Sequence, residues 1–175
     1  MMASSGCQHR ATDCPGDWVD VYIGAGSNLG QRSEQLHRAW HALCRLPDTA
    51  GVAMAPFIET PAIGPPQPMF LNTVFHLKTR LSPALLLQAC QQLEWRAGRR
   101  GWRYPIAWTP RPLDLDVLLY ADWVIEEAGL CVPHPGLATR PFVRQPLKAL
   151  GVAVPSALVK SLPMQSVPMS EVVQV

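Results

Sequence analysis

Two aspartates stand two residues apart in an otherwise apolar run, RPLDLDVLLY, which covers residues 111–120. Leu, Val and Tyr dominate this run and indicate a buried strand. Side chains two positions apart on a strand project from the same face, so Asp114 and Asp116 are expected to lie side by side. Two neighbouring carboxylates repel each other and lose hydration on burial unless a cation lies between them. The pattern therefore predicts a cation site on this strand.

Arginine is one candidate for that cation, because the segment before the aspartates is rich in it. The arginines of this segment are Arg96, Arg99, Arg100, Arg103 and Arg111. Such a cluster suits a polyanion, for example the phosphates of a nucleotide. Mg²⁺ is the other candidate, because it is usually held by one or two carboxylates together with phosphate oxygens. Direct pairing of each aspartate with an arginine stays open, although the pattern favours the metal site.

Three further features carry less chemical information by themselves. His134 lies between two prolines in CVPHPG, which predicts a fixed loop, and a single histidine is more often structural than functional. Asn72 is a polar amide within a strand-like run, where it would face either solvent or a ligand that offers both donors and acceptors. GAGSNLG, at residues 24–30, matches neither common nucleotide-binding loop pattern, so a strand-to-helix turn is favoured.

Length and composition indicate one folded domain. The chain has 175 residues, of which 48% are apolar and 16% charged, and a formal net charge of +2. The small charge gives no reason to expect nucleic-acid or membrane partners. Five scattered cysteines without CxxC spacing favour free thiols in a reducing compartment. No apolar run is long enough to span a bilayer, so a cytoplasmic protein is expected. A monomer that binds small-molecule substrates is also expected.

The order of predicted elements is β-α-β-β-α-β followed by a helix. The predicted strands cover residues 18–23, 52–60, 70–78 and 113–120, and the helices residues 32–46, 82–96 and 139–150. A small hairpin is predicted near residues 124–132, and residues 98–112 read as a long functional loop. This order is typical of a ferredoxin-like split βαβ sandwich, with a mainly antiparallel sheet flanked by helices.

The same pattern predicts three regions along the chain. Residues 1–17 are polar and contain Gly, Ser and Pro, so a flexible N-terminal extension is expected. Residues 18–151 form the predicted single domain. Residues 152–175 form a C-terminal tail to which no structure is assigned.

Five segments together resemble one known family. They are YIGAGSNLG, ETPAIGPPQPMFLN, EWRAGR, PRPLDLDVLLY and VPHPGLATRPFVRQPL, in this order. The same segments in the same order are typical of 6-hydroxymethyl-7,8-dihydropterin pyrophosphokinase, an enzyme of folate biosynthesis. The resemblance covers about residues 19–150, and PRxLDLD with a downstream VPH is its most specific part.

The resemblance implies a fold, a reaction and a set of site residues. The fold would be the ferredoxin-like sandwich, and the reaction would move the β,γ-diphosphate of ATP to the hydroxymethyl oxygen of the pterin, with release of AMP. The implied catalytic residues are Arg99, Arg111, Asp114 and Asp116, of which the two aspartates would hold two Mg²⁺ ions. Asp114 would also help to orient or deprotonate the hydroxyl group. The implied ATP-binding residues are Gln91, Glu94, Trp108, His134 and Arg140. The implied pterin-binding residues are Thr60, Ile63, Phe70, Asn72 and Phe142.

The chain departs from the family pattern just before the aspartates. The family usually has RWGPR there, and this chain has Ala107 and Thr109 in place of the basic residue and the glycine. Loss of a glycine can stiffen a loop, so a binder with poor turnover is one alternative to an enzyme. An RNA-binding ferredoxin-like module is another, but it would need basic and aromatic residues interleaved on the strands and a pI above about 9. The sequence pI is about 8.4, which is below that value and argues against the RNA-binding module.

Overall fold

The computed structural model describes residues 9–99 and 109–153 and contains one main sheet, three helices packed on it and a small hairpin. The elements in chain order are β1 (Val19–Ser27), α1 (Arg32–Leu43), β2 (Thr49–Met54), β3 (Ile58–Thr60), β4 (Phe70–Thr79), α2 (Pro83–Arg96), β5 (Asp114–Tyr120), β6 (Ile125–Glu127), β7 (Leu130–Val132), α3 (Gly136–Thr139) and α4 (Pro141–Ala149).

The main sheet has the strand order β2-β4-β1-β5, and β3 pairs with the first three residues of β4. Every neighbouring pair is antiparallel. Strands β1 and β2 therefore run parallel with β4 between them, and β4 and β5 run parallel with β1 between them. Two such interleaved βαβ units make a ferredoxin-like α+β sandwich, which confirms the predicted fold.

Helices α1 and α2 cover one face of the sheet. Their apolar sides pack on the strand residues that point the same way, and the buried core includes Ile23, Leu36, Phe75, Leu86 and Val117. Helix α2 begins with a proline in its first turn, and the Ser82 hydroxyl accepts a bond from the Leu85 N–H. The start of this helix was predicted from these two residues.

Helix α4 covers part of the opposite face. It buries Val143 and Leu147 against Val74 of β4 and Leu118 of β5. Because side chains alternate along a strand, Asp114, Asp116 and Leu118 share this second face. The carboxylate pair therefore lies on the α4 side of the sheet, away from the larger core.

Several predicted boundaries differ from the structure. Helix α1 was predicted to end at residue 46 and ends at Leu43, and the predicted helix over residues 139–150 is broken at Arg140 between α3 and α4. Strand β1 continues through Gly24 and Gly26 to Ser27, where a strand-to-helix turn was predicted. A Cβ atom on Gly26 would lie 2.8 Å from the Asn72 Oδ1. A neighbouring side chain thus approaches the strand backbone closely here, which explains a glycine within the strand. The predicted strand over residues 52–60 is two strands, β2 and β3, and the Ala55 N–H between them bonds to the Val74 carbonyl 2.9 Å away.

Residues 9–17, which were predicted to belong to a flexible extension, contact the fold. His9 stacks on Trp123 with ring centroids 4.1 Å apart. Ala11 is buried, and its N–H donates to a Glu127 carboxylate oxygen 2.9 Å away. This segment therefore packs beside the β6–β7 hairpin. Within the part of the chain that the structure describes, no helix is long and apolar enough to cross a membrane.

Candidate active site

A cleft of about 260 Å³ opens on the α4 face of the sheet. Its floor is the middle of β1 with parts of β4 and β5. One wall is the proline-rich segment 61–69 between β3 and β4, and the other comes from His134 and the start of α4. The cleft therefore lies where two chain connections meet above the open half of the sheet.

Two glycines form the centre of the cleft floor. Gly26 is paired with Asp114 of β5 on one side and with Asn72 of β4 on the other. Gly24 is paired with Asp116. Because adjacent strands are about 4.8 Å apart, the asparagine and the aspartates stand roughly 10 Å from each other across β1. This spacing gives the cleft a carboxylate side and an amide side.

Two guanidinium groups bind Asp114 on the carboxylate side. The Arg99 and Arg111 Nη1 atoms both donate to the Asp114 Oδ1, at 2.9 Å and 2.8 Å. Arg111 also donates from Nε to the Thr109 carbonyl at 3.3 Å. In this structure the pairing of an aspartate with arginines, which the sequence left open, is therefore present at Asp114.

Glu94 holds Arg99 and β5 together from below. Its carboxylate is 7% exposed and accepts a bond from the Leu115 N–H at 2.8 Å, and it also pairs with Arg99. Gly98 follows α2 with a φ of 99°, a conformation that glycine adopts without strain, and it turns the chain so that Arg99 reaches back over Glu94. Because Leu115 stands between the two aspartates, Glu94 fixes the strand that carries them.

Asp116, like Asp114, is half-buried on β5. Loss of hydration and, secondly, the charge of Asp114 together raise the pKa of Asp116 to about 7, although the charge of Arg140 opposes the shift. The Asp114–Asp116 pair therefore holds less negative charge at neutral pH than two ordinary carboxylates, and a bound cation would draw the remaining proton away.

His134 presents a neutral imidazole to the cleft. Burial and, secondly, the nearby Arg140 charge together lower its pKa to about 4, although the charge of Asp114 opposes the shift. Its Nδ1 accepts a bond from the Gly136 N–H at 2.9 Å, so the proton of the neutral ring is assigned to Nε2. His134 can therefore donate a hydrogen bond to an anionic ligand without adding charge.

The amide side of the cleft combines aromatic rings with one fixed amide. Phe70 and Phe142 both line it. The Asn72 Nδ2 donates to the Thr60 hydroxyl at 2.9 Å, and its side chain is almost fully buried. Two rings and an oriented amide suit a flat heterocycle with donors and acceptors on its edge.

Most of the predicted site residues line this one cleft, although they come from distant parts of the sequence. The predicted residues that line it are Thr60, Ile63, Phe70, Asn72, Arg99, Arg111, Asp114, Asp116, His134, Arg140 and Phe142. Gln91 is exposed on α2 and Glu94 is buried beneath Arg99, and neither lines the cleft. Trp108 lies outside the residues that the structure describes.

Asn28 is a site residue that the sequence did not single out. It is 2% exposed, and its Nδ2 donates to the Gln67 Oε1 at 3.0 Å and to the Pro68 carbonyl at 3.1 Å. Its Oδ1 accepts from the Arg111 N–H at 2.7 Å. One amide thus joins the proline-rich wall to the arginine on the carboxylate side. No local pattern marks it, because its partners are about 40 and 83 residues away.

The donor set on the carboxylate side suits a hard divalent cation that also has phosphate ligands. Within residues 9–99 and 109–153, no group of three or more His, Cys, Asp or Glu side chains could hold a metal ion. The pair Asp114 and Asp116 alone fits Mg²⁺, because this ion is commonly held by one or two carboxylates plus phosphate oxygens and water.

Comparison with known proteins gives a consistent result. Residues 22–152 match the family model for 7,8-dihydro-6-hydroxymethylpterin-pyrophosphokinase. The 2-amino-4-hydroxy-6-hydroxymethyldihydropteridine pyrophosphokinase of Pseudomonas aeruginosa is 41% identical over 131 residues, which cover 74% of this chain and 79% of that protein. The Haemophilus influenzae protein of the same name is 39% identical over 130 residues, with the same two shares.

A longer relative shows the same match over part of its length. The folic acid synthesis protein fol1 of Schizosaccharomyces pombe is 42% identical over 131 residues, which are 74% of this chain but 18% of that protein. The family match covers the whole sheet except the first residues of β1, together with the cleft described above. This chain belongs to the 7,8-dihydro-6-hydroxymethylpterin-pyrophosphokinase family.

Proposed function

We propose that the chain transfers the diphosphate of ATP to 6-hydroxymethyl-7,8-dihydropterin, giving the pterin diphosphate and AMP, in folate biosynthesis. The single observation that carries this proposal is the cleft itself, in which a carboxylate pair with two arginines faces an aromatic and amide wall. Family membership supports the same reaction, since the relatives are pyrophosphokinases by name.

The phosphate half of the reaction would take place at the carboxylate side. The pterin hydroxyl oxygen attacks the β-phosphorus of ATP, the bond from that phosphorus to the α,β-bridging oxygen breaks, and AMP leaves while the hydroxyl proton is lost. Mg²⁺ bound by Asp114 and Asp116 would supply charge neutralisation at the phosphate oxygens. Little covalent chemistry is needed, so positioning and electrostatics are expected to determine the rate.

The chain's own residues would then have separate tasks. Arg99 and Arg111 neutralise charge on the transferred diphosphate, and the Asp114 carboxylate orients the attacking hydroxyl group. His134 donates a hydrogen bond from Nε2 to a phosphate oxygen, and Arg140 contributes a charge near Asp116. The roles of Gln91 and Trp108 toward the nucleotide stay predictions from the resemblance.

The pterin half would bind on the amide side. Phe70 and Phe142 would stack on the ring, and each ring pair adds roughly 0.5–1.5 kcal/mol beyond the burial of area. Asn72 would read the donor and acceptor edge of the pterin, because its bond to Thr60 fixes which way the amide faces. The backbone around Thr60 and Ile63 would complete that edge.

The deciding experiment is measurement of AMP release from ATP and Mg²⁺ with and without 6-hydroxymethyl-7,8-dihydropterin. Pterin-dependent AMP formation is the expected result. Tight binding of both ligands without AMP would instead identify a binder whose altered segment before Arg111 does not support turnover. Binding of neither ligand would contradict the proposal.

We expect Phe142→Ala to raise the Kd of the pterin about five- to tenfold, because one stacking face is lost. The Kd of a non-hydrolysable ATP analogue should stay within about twofold, since Phe142 lies on the amide side. Calorimetric titration of each ligand measures both values. Trp95→Ala is the matched control, because Trp95 is 64% exposed on α2 and remote from the cleft. Equal weakening of both ligands would argue against stacking.

Affinity for the magnesium–nucleotide complex should fall as the pH is lowered below about 7. Asp116 has a raised pKa of about 7 because of burial and the Asp114 charge, so its protonated form is favoured at lower pH. A metal ligand must lose its proton, and each pH unit below the pKa then costs about tenfold in affinity. Titrations across this range, in buffers of different ionisation enthalpy, would also detect proton uptake by the buffer. A flat profile down to about pH 5 would contradict Asp116 as a ligand.

A further inference from the structure

The proline-rich wall of the cleft has few hydrogen-bond donors of its own. Segment 61–69 contains Pro61, Pro65, Pro66 and Pro68. A proline has no N–H group, so this wall offers carbonyl acceptors but few donors. The strand that leads into it, β3, has three residues and, within residues 9–99 and 109–153, pairs with β4 on one side. The wall therefore depends on donors from elsewhere in the chain.

Those donors come from the connection between β1 and α1. Asn28 donates to the Pro68 carbonyl at 3.1 Å, and Arg32, the first residue of α1, donates from Nη1 to the Met69 carbonyl at 2.8 Å. The same Arg32 Nη1 lies 2.6 Å from a Glu59 carboxylate oxygen. The segment GAGSNLG and the residues after it thus support the wall, although they resemble no ligand-binding loop.

Arg32 joins the two ends of the wall. Glu59 comes directly before Thr60, where the chain leaves β3, and Met69 comes directly before Phe70, where it enters β4. Thr60 and Phe70 both line the cleft. Thr60 and Phe70 already face each other as a β3–β4 pair, and the one guanidinium group braces this pair by binding the residue directly before each of them.

We propose that Arg32 is a positioning residue for the pterin side of the cleft, which it shapes by clamping Glu59 and Met69 without lining the cleft itself. The identity of the ligand rests on the proposed function. The clamp, meaning the contacts of Arg32 with Glu59 and Met69, does not rest on the proposed function, because these contacts are present in the unliganded chain.

Asn28 provides a contrast within the same connection. Its amide holds Pro68 on the wall but also holds the Arg111 N–H on the carboxylate side. Among the described residues, the Arg32 guanidinium binds the Met69 carbonyl of the wall and Glu59 of the strand before it. Loss of Asn28 should therefore weaken binding of both substrates, whereas loss of Arg32 should weaken binding of the pterin alone.

The test is a double-mutant cycle with Arg32→Ala, Glu59→Ala and the double variant, in which KM is measured for each substrate. The side chains are 31% and 48% exposed, so the ion pair alone is worth little, but the charged bond to the Met69 carbonyl adds to it. We expect Arg32→Ala to raise the KM of the pterin about three- to tenfold, with kcat and the KM of ATP within about twofold.

Three comparisons make this result specific. Arg32→Lys should recover part of the loss, because an ammonium group can still bind Glu59 or the Met69 carbonyl. The effects of Arg32→Ala and Glu59→Ala should be non-additive, because the two side chains share one contact. Arg38→Ala is the matched control, since Arg38 lies on the same helix and pairs with the exposed Glu34, away from the wall.

Hydrogen exchange gives a readout that needs no substrate. In the unliganded Arg32→Ala variant, amides of residues 60–72 should exchange faster than in the wild type, and those of β5 should be unchanged. Unchanged exchange at residues 60–72, or an equal rise in the KM of both substrates, would overturn the clamp. If the wild-type chain released no AMP but the exchange pattern appeared as expected, the proposed function would fail and the clamp would stand.

Discussion

Asp116→Asn is expected to lower the rate of pterin-dependent AMP release by a factor on the order of 10³ while the fold is retained. The amide has nearly the same shape as the carboxylate, but it cannot carry the negative charge that binds a cation. Asp116 is half-buried, and loss of hydration together with the Asp114 charge already raises its pKa to about 7, so a neutral side chain fits this position without a cost in folding. The thermal midpoint should therefore stay the same or rise slightly.

The matched control is Asp122→Asn. This substitution removes the same charge, and Asp122 is exposed in the turn that follows β5. Rates should be measured at saturating Mg²⁺ and again with Mn²⁺, since a weakened metal site is partly restored by a more tightly binding ion. Near-normal turnover of Asp116→Asn would remove the carboxylate pair from the proposed mechanism. A rate loss accompanied by loss of the folded state would point to a structural role for Asp116.

The second large effect is expected for Arg111→Ala, which should lower kcat by a factor on the order of 10³. An arginine that neutralises a transferred phosphoryl group commonly contributes this much or more to the rate. In the unliganded chain its guanidinium lies 2.8 Å from the Asp114 Oδ1, and its own N–H is fixed by Asn28. The guanidinium is thus already held next to the place where the diphosphate would transfer.

Arg111→Lys should recover little of this loss, because an ammonium group lacks the planar two-point geometry of a guanidinium. Arg96→Ala is the control, since Arg96 is exposed in the last turn of α2 and carries the same charge. Single-turnover kinetics would separate the chemical step from product release. A variant that changed the KM of ATP but left kcat intact would show that Arg111 only binds the nucleotide.

The two arginines on Asp114 also bear on the alternatives that the sequence left open. Pairing of Asp114 with arginines does not exclude a metal ion at the same residue, because both guanidinium groups bind the same Asp114 oxygen, Oδ1. Arg99 has Glu94 as a second partner, and Arg111 has the Thr109 carbonyl. Each arginine can therefore turn from Asp114 toward a phosphate and keep one of its present contacts.

The order of the main elements could be predicted from the sequence because each element depends on local patterns. The alternation in β5, the Ser82–Pro83 start of α2 and the order of strands and helices are set by side-chain periodicity and by proline geometry. The split between β2 and β3 could not be predicted, because it depends on how β4 pairs with two separate segments. The passage of β1 through Gly24 and Gly26 likewise depends on its neighbours.

The sequence by itself determined the family and the chemistry of the cleft. The reason is that these depend on local patterns that can be recognised without the fold, namely two aspartates two positions apart on a strand, the clustered arginines and the VPH motif. The tertiary structure decided which residues support that chemistry. Glu94 lies beneath Arg99 and the Leu115 N–H, and Asn28 and Arg32 hold the proline-rich wall. Glu94 and Arg99 are five residues apart, but the other contacts join residues 21 to 40 positions apart, so no spacing in the sequence marks them, and only the packed sheet brings donor and acceptor together.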